Sequence, residues 1–253
     1  MTGDRLARRR ASHYAVAPAC QWGARGSGGR TSLALALFDL DNTLLAGDSD
    51  YLWGGFLATQ GLVDGPTYER ENLRYYRAYQ AGQLDIHEFL RFALRPLADH
   101  EPALLEAVRE RFISETIAPI VAPGTAALLE RHRTAGDRLV IITATNSFVT
   151  GPIAALLGID DLLATEPEQV DGRYTGQAAG IPCFREGKVQ RLKAWLAVEK
   201  LDLGGSWFYS DSHNDLPLLE IVDHPVAVDP DETLAATAGE RGWPMISLRG
   251  AAA

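Results

Sequence analysis

Two aspartates at the end of an apolar run are the residues of this sequence best suited to chemistry. Residues 33–45 read LALALFDLDNTLL, and Asp39 and Asp41 interrupt the run. A continuous apolar run predicts a strand buried on both faces, and residues two apart in extended chain point to the same side. One carboxylate can act as a nucleophile while the other moves protons, provided that a cation offsets their repulsion. The alternative is a polar turn in which Asn42 or Thr43 caps a helix.

Polar residues further along the chain would complete such a site. Thr143 ends a second apolar run and can donate its hydroxyl and backbone N–H to a phosphate oxygen. Lys188 begins a predicted helix, where free N–H groups also favour an anion. Asp211 and Asp215 add hard oxygen ligands for Mg²⁺. Each residue also has a simpler interpretation: Thr143 as an ordinary strand end, Lys188 as a surface cation and Asp215 as a helix N-cap. Their order along the chain, taken together, indicates a phosphoryl-transfer site.

Alternating strands and helices are needed to bring these residues to one edge of a sheet. Beyond the first strand, apolar runs predict strands at residues 138–143, 206–210, 225–228 and 245–248. An Asp-Gly pair predicts a hairpin at residues 170–174, and helices are predicted at residues 123–135, 145–157 and 187–198. Between the first two strands lie only helical signals, including Asp85 as an N-cap before residues 86–94 and a break at Pro96. The pattern predicts an α/β fold with a doubly wound parallel sheet and a small all-helical insertion.

Charge and cysteine content exclude several classes of function. The chain of 253 residues has a net charge of -9, although residues 1–32 hold six arginines and one aspartate. An acidic body argues against a nucleic-acid surface, and no apolar run approaches the roughly eighteen residues of a membrane span. The two cysteines, Cys20 and Cys183, form no disulfide framework, which favours the cytoplasm. We expect residues 1–32 to be a disordered basic extension or the product of an over-extended start site, with an organellar transit peptide as the alternative.

Four motifs, taken in order, resemble those of the haloacid dehalogenase (HAD) superfamily: FDLDNTLL, LVIITATN, the Gly187-Lys188 pair and YSDSHNDLPLL. The sequence is most similar to the phosphoserine-phosphatase-like branch, subfamily IB, which includes phosphoserine and histidinol-phosphate phosphatases. The resemblance covers about residues 33–248. One departure is that the family's usual Ser-Gly-Gly at the second motif is Thr143-Ala144-Thr145 here, which affects the expected shape of the substrate pocket.

The resemblance implies a domain organisation and a set of roles. It implies a Rossmann-like HAD core at residues 33–48 and 119–253 with a helical C1 cap at residues 49–118. Asp39 would be the nucleophile, and Asp41 would protonate the leaving group and then activate water. Mg²⁺ would be held by the Asp39 carboxylate, the Asp41 backbone carbonyl and Asp211, with Asp215 close by, while Thr143 and Lys188 would stabilise the phosphoryl oxygens.

The resemblance also suggests a substrate class. Asp48 occupies the position at which phosphoserine phosphatases carry a carboxylate that meets the substrate's amine, and Arg91 falls where they place a carboxylate-binding guanidinium. A planar guanidinium suits a carboxylate, although both residues also fit a loop acid and a solvated cation. The expected partner is a small amino-bearing phosphorylated metabolite, phosphoserine or histidinol phosphate, with no nucleic acid and no membrane.

Other functions remain open from the sequence. A phosphotransferase or mutase would use the same aspartyl-phosphate but would pass the phosphoryl group to another acceptor. A non-enzymatic receiver-like domain also combines aspartates, a hydroxyl residue and a lysine on a parallel sheet, yet it needs no helical insertion and no second proton-shuttling aspartate. Tyr75, Tyr76 and Tyr79 have helical spacing and are interpreted as packing residues of the insertion.

Overall fold

The computed structural model describes residues 34–250, so the expected extension at residues 1–32 lies outside the described range. The strands of the described range are β1 (Leu35–Phe38), β2 (Arg138–Asn146), β3 (Asp161–Val170), β4 (Arg173–Ala179), β5 (Trp207–Ser210), β6 (His224–Val228) and β7 (Met245–Ile246). They form one sheet in the order β4-β3-β2-β1-β5-β6-β7. Neighbouring strands are parallel except for β3 and β4, which pair antiparallel.

Helices cover both faces of this sheet. They are α1 (Ser49–Thr59), α2 (Gly65–Gln80), α3 (Ile86–Ala93), α4 (Arg95–Asp99), α5 (Pro102–Phe112), α6 (Thr125–Ala135), α7 (Ser147–Leu156), α8 (Glu186–Glu199), α9 (Leu216–Leu219) and α10 (Glu232–Arg241). Side chains of β1 alternate between two apolar clusters, with Ala36 and Phe38 in one and Leu35 and Leu37 in the other, as a strand requires. The first cluster also contains residues of α6 and α7, and the second contains residues of α8, α9 and α10. The predicted doubly wound α/β fold is confirmed.

The helices α1 to α5 lie between β1 and β2 and pack on the sheet through large apolar side chains. Trp53 of α1 is buried, and its ring centroid lies 5.2 Å from that of Phe112 on α5 and 5.9 Å from that of Phe148 on α7. All three belong to the same apolar cluster as Phe38 of β1. The helical insertion therefore shares a core with the sheet, while its assignment as a cap domain at residues 49–118 remains a prediction. None of the helices within residues 34–250 is long and apolar enough to cross a lipid bilayer.

Several predicted boundaries are confirmed by the local chemistry. Asp85 caps α3, and its carboxylate accepts hydrogen bonds from the backbone N–H groups of His87 and Glu88. Gly136 ends α6 in the left-handed conformation that glycine adopts without strain. The Asp-Gly hairpin joins β3 to β4. The predicted break at Pro96 is also confirmed: α3 ends at Ala93, and Pro96 lies in the first turn of α4, where its missing N–H costs nothing.

The end of β2 differs from the sequence-based expectation. The helix expected from Thr145 begins at Ser147 instead, because the strand continues to Asn146, which pairs with Thr165 of β3. Asn146 then caps α7 by accepting a hydrogen bond from Val149 N. Strand pairing thus holds Thr145 in the sheet, beside the carboxyl end of β1.

Candidate active site

The carboxyl ends of the central strands β1, β2 and β5 meet at one edge of the sheet. Asp39 directly follows β1, and its backbone N–H donates to the carbonyl of Tyr209 in β5 across 2.9 Å. Asp211 directly follows β5, and Thr143 lies in the carboxyl-terminal half of β2. Ligands of open α/β sheets bind at this edge. The structure therefore brings the predicted strand-end residues together.

The chain turns sharply after Asp39, which explains the polar sequence at this point. Asn42 has a φ of 58°, a left-handed conformation that asparagine tolerates better than most residues, and its N–H donates to Gly47 O at 2.9 Å. The hydroxyl of Thr43 donates to Asp211 Oδ1 at 3.2 Å. The alternative in which Asn42 or Thr43 caps a helix is wrong, because Asp48 caps α1.

Lys188 is a buried cation between two carboxylates. It lies in the first turn of α8, and its Nζ is 2.7 Å from Asp39 Oδ1 and 2.7 Å from Asp215 Oδ1. Ser210 Oγ donates to Asp215 Oδ2 at 2.7 Å. Burial lowers the pKa of Lys188, but the charges of Asp215 and Asp39 outweigh that effect and raise the pKa above its ordinary value. The alternative of a solvated surface cation is wrong, since the residue is only 3% exposed.

Asp41 is held by two donors from different elements. Its Oδ1 accepts from Ser49 N at 2.6 Å and its Oδ2 accepts from Thr145 Oγ1 at 2.7 Å. Burial raises the pKa of Asp41 to about 6 and the charge of Asp48 adds to the shift, while the hydrogen bonds from Ser49 and Thr145 act in the opposite direction. A carboxyl whose pKa lies close to neutrality can both give and take a proton.

Negative charge exceeds positive charge around Asp39. Burial raises the pKa of Asp39 to about 7, and the nearby carboxylates of Asp215 and Asp41 raise it further against the lowering effect of Lys188. Burial also raises the pKa of Asp211 well above its ordinary value, again with a contribution from Asp39 and Asp215. These shifts show carboxylates crowded beyond what one lysine neutralises, so a further cation would stabilise their ionised forms.

The oxygen atoms present suit Mg²⁺, which is bound through one or two carboxylates and keeps several waters. Among residues 34–250, no group of three or more His, Cys, Asp and Glu side chains is arranged to hold a metal ion. The ligand set implied by the family resemblance, which consists of the Asp39 carboxylate, the Asp41 backbone carbonyl and Asp211 with Asp215 close by, therefore remains a prediction. Asp215 is engaged by Lys188 and Ser210 instead.

A cavity of about 690 Å³, open to solvent, extends from these residues towards the helical insertion. Its reacting end is lined by Asp39, Asp41, Thr143, Lys188 and Asp215. Thr143 is 1% exposed, and its Oγ1 accepts from Thr145 N at 3.3 Å, so its own hydroxyl hydrogen can still be donated to a ligand. The opposite wall is lined by Asp48, Asp50, Tyr51, Tyr75, Tyr76 and Tyr79. The tyrosines expected to serve only in packing therefore also face the cavity.

The two predicted substrate-binding residues differ in their position relative to the cavity. Asp48 lines the cavity while its Oδ1 accepts from Tyr51 N at 2.8 Å. Arg91 is exposed and is not brought to the cavity. Ile86 and Phe89 of α3 do line it, and Arg91, two residues beyond Phe89, is rotated by about 200° around the helix axis. The expectation that Arg91 meets a substrate carboxylate is thus not supported by its position.

Two polar contacts join the end of α2 to loops at the sheet edge, and a third joins those loops to each other. Arg185 donates through Nη2 to the carbonyl of Gly82 and through Nε to Asn214 Oδ1, the latter at 2.9 Å. Asn214 Nδ2 donates to the carbonyl of Tyr79 at 3.2 Å. Arg185 has a φ of 50°, an unusual conformation for a long side chain. These contacts hold the end of α2 against the sheet edge that carries the candidate residues.

Sequence reasoning missed several residues of this site. The sequence patterns do not single out Thr145, Ser210, Arg185 or Asp50, although Thr145 lies within the departure at the second motif. That departure was a usable signal, because a hydroxyl residue replaces a glycine at a strand end next to the predicted nucleophile. Ser210 and Arg185 carry no comparable local signal, since their partners are distant in sequence.

Comparison with known proteins gives a consistent result. The family model for haloacid dehalogenase-like hydrolases matches residues 36–220. The chain is 45% identical over 219 residues to a histidinol-phosphatase of Neisseria meningitidis, covering 85% of this chain and 99% of that protein. It is 35% identical over 223 residues to a phosphoserine phosphatase of Mycobacterium tuberculosis, covering 85% of this chain and 71% of that protein. A solved structure of a protein of unknown function from Bordetella pertussis is similar with a TM-score of 0.82 and 46% identity, covering 86% of this chain and all of the other.

Proposed function

The chain belongs to the haloacid dehalogenase-like hydrolases, and from this premise we propose that it releases phosphate from a small amine-bearing phosphomonoester through an aspartyl-phosphate on Asp39. Its class is that of the phosphoric monoester hydrolases, in keeping with the phosphatases it resembles. The observation that carries the proposal is the pair of carboxylates, Asp39 and Asp41, at the floor of one cavity beside the buried ammonium of Lys188.

The reaction proceeds in two balanced steps. A carboxylate oxygen of Asp39 attacks phosphorus and the ester P–O bond breaks, while Asp41 gives its proton to the leaving alkoxide. Asp41, now ionised, takes a proton from water, whose oxygen attacks phosphorus and breaks the bond to Asp39. Inorganic phosphate leaves, and both carboxyl groups return to their starting states. The hydrogen bonds from Thr145 and Ser49 keep Asp41 in one position through both steps.

Positive charge and donors surround the phosphoryl group. Lys188 and Thr143 line the reacting end of the cavity and stabilise the charge on the phosphoryl oxygens. We assign Mg²⁺ to the Asp39 and Asp211 carboxylates and the Asp41 backbone carbonyl, with Asp215 nearby. When bound, the ion supplies positive charge that lets a phosphate dianion approach this acidic site.

The presence of an amine in the substrate is inferred from the cavity wall opposite the proposed phosphate position. Asp48 lines the cavity, and a carboxylate there favours a cationic substituent on the substrate. Both phosphoserine and histidinol phosphate carry such an amine. Histidinol phosphate is the preferred candidate because the relative at 45% identity is named for it and is matched over 99% of its length.

A mutase or phosphotransferase using the same aspartyl-phosphate is the remaining alternative. The test is a panel of phosphorylated metabolites with a generic aryl phosphate, assayed for free phosphate with and without chelator. Release of phosphate that is lost in chelator and restored by Mg²⁺ is expected. Turnover that yields only a new phosphorylated product would favour the mutase, and full activity in excess chelator would contradict the magnesium assignment.

A further inference from the structure

We propose that Asp50 is the residue that selects a substrate whose far end is an imidazole ring and rejects one whose far end is a carboxylate. The proposal rests on the phosphatase function given above and deepens it. Asp50 would accept a hydrogen bond from the ring N–H or pair with the imidazolium, while Asp48 would bind the amine that lies between ring and phosphate.

Asp50 faces the cavity without a partner. It lies in the first turn of α1 and lines the cavity wall. Within residues 34–250 its carboxylate takes part in no hydrogen bond or ion pair, and the charges that act on it are the like charges of Asp48 and Asp41. Burial and these charges raise its pKa well above the ordinary value. A cationic or N–H-bearing group of the substrate would relieve both effects.

A second acceptor of the same wall supports this requirement. Asn72 lines the cavity and is 6% exposed. Its Nδ2 donates to the carbonyl of Tyr51 at 2.9 Å, whereas its Oδ1 accepts no hydrogen bond from the described residues. Asn72 Oδ1 and the carboxylate of Asp50 are thus two acceptors on this wall that are available to a ligand with hydrogen-bond donors.

In the proposed mode of binding, the phosphate lies at Asp39, the amine at Asp48 and the ring at Asp50. Asp48 is the N-cap of α1, Asp50 lies in the first turn of that helix, and both line the cavity. Ser49, the residue between them, donates its backbone N–H to the carboxylate of Asp41, so this end of α1 adjoins the proposed acid and base. In histidinol phosphate the amine lies next to the ester carbon, and the ring lies farther out.

The same geometry disfavours phosphoserine. That molecule has the same amine position, but it carries a carboxylate where histidinol phosphate carries the ring. Among the described residues that line the cavity, Lys188 is the one lysine or arginine, and it is already at the phosphate end. A substrate carboxylate near Asp50 would therefore find no compensating cation among the described residues that line the cavity.

The surrounding aromatic side chains suit a planar ring. Tyr51 and Tyr76 line the cavity with ring centroids 5.0 Å apart, and Tyr75 packs against Phe89 at 5.4 Å. Aromatic faces attract a cationic ring and offer nothing specific to a carboxylate. Charge at Asp50 and the aromatic faces thus favour the same substituent.

The test compares three substrates in three variants. Histidinol phosphate, phosphoserine and 4-nitrophenyl phosphate are assayed with Asp50→Asn, Asp48→Asn and the control Asp64→Asn, which alters another helix-capping aspartate that is exposed and outside the cavity. Asp50→Asn should lower kcat/KM for histidinol phosphate by about 10-fold or more, leave the aryl phosphate within about 2-fold, and leave phosphoserine unchanged or improved. Asp48→Asn should lower kcat/KM for both amine-bearing substrates. Equal losses on all three substrates with Asp50→Asn, or no loss on histidinol phosphate, would overturn the proposal.

A wild-type measurement decides the question even if a variant fails to fold. Histidinol and serine are compared as inhibitors of aryl phosphate turnover, and histidinol should inhibit at a concentration at least about 10-fold lower, the ratio that one hydrogen bond to a charged group supplies. Equal inhibition would contradict the role of Asp50. Failure of the phosphatase function itself would be distinct, because wild type would then release phosphate from none of the three substrates.

Discussion

Thr145 donates its hydroxyl hydrogen to Asp41 Oδ2 across 2.7 Å, joining two residues 104 positions apart in the chain. Thr145 is 5% exposed and lies in β2, whereas Asp41 lies in the turn after β1. The other carboxylate oxygen of Asp41 is held by Ser49 N. The proposed acid and base of the reaction is therefore oriented from both the sheet and the helical insertion.

Removal of this hydroxyl should slow the chemistry without weakening binding. Thr145→Val keeps the shape but deletes the donor, and we expect kcat to fall by about 10-fold with little change in KM, since a hydrogen bond to a charged group contributes about 1.5–3 kcal/mol. Steady-state kinetics on an aryl phosphate would measure this. The control is Thr150→Val, because Thr150 is also buried and its hydroxyl donates to a backbone carbonyl, that of Asn146. An equal loss of kcat in both variants would show a general effect of the substitution.

Substitution of either carboxylate at the floor of the cavity should reduce activity, but in different ways. Asp39→Asn should reduce turnover to the assay floor and prevent labelling of the protein by radioactive phosphate, because an amide is not a competent nucleophile. Asp41→Asn should lower the rate by about 10²–10⁴-fold while still allowing phosphate to bind. Near wild-type turnover by Asp39→Asn would refute the assignment of the nucleophile.

Lys188 should contribute to stability as well as to activity. Lys188→Met leaves Asp39 and Asp215 buried without their cation, so we expect the free energy of unfolding in metal-free buffer to fall by about 3 kcal/mol. Urea denaturation would measure the change. Lys193→Met supplies the control on the exposed side of the same helix. If both variants unfold at the same urea concentration, the buried ion pairs do not stabilise the fold.

Asp211 should govern magnesium affinity. Asp211→Asn removes one of the two proposed carboxylate ligands, and we expect the Mg²⁺ concentration for half-maximal activity to rise by about 10-fold or more, in the range seen when metal-site groups are lost. Mg²⁺ should also raise the Tm of the wild-type protein and raise it less in the variant, since a ligand stabilises the state that binds it. Asp202→Asn, at an exposed turn, should behave as wild type. An unchanged Mg²⁺ response in Asp211→Asn would contradict its role.

Local signals were sufficient for much of the fold. The apolar run before Asp39 predicts a buried strand, and Asp85 and the helix end predicted at residue 135 mark boundaries that the structure confirms. Each of these signals acts through a residue's own backbone or its immediate neighbours. The sequence also predicts that the polar residues at the strand ends meet, because parallel strands bring their carboxyl ends to one edge of the sheet.

Features that depend on distant partners were not predictable in this way. Thr145 was assigned to a helix, but pairing of Asn146 with Thr165 extends the strand past it. Most of β3 was missed because its sequence contains Pro167 and three acidic residues, which disfavour strands locally. Arg91 was placed by its position along the chain, whereas its direction depends on which face of α3 meets the cavity. The rotation of α3 about its own axis is fixed by tertiary packing and cannot be deduced from the spacing of residues in the sequence.

The contact of Trp53 with both Phe112 and Phe148 limits how this enzyme can be redesigned. A chimaera whose residues 49–118 carry a small side chain in place of Trp53 would leave unfilled space beside Phe148, at a cost of about 3–5 kcal/mol. An exchange of the insertion must therefore keep this aromatic contact. Altered substrate preference is better sought by point substitutions on the cavity wall of α1 and α2, which leave this aromatic junction intact.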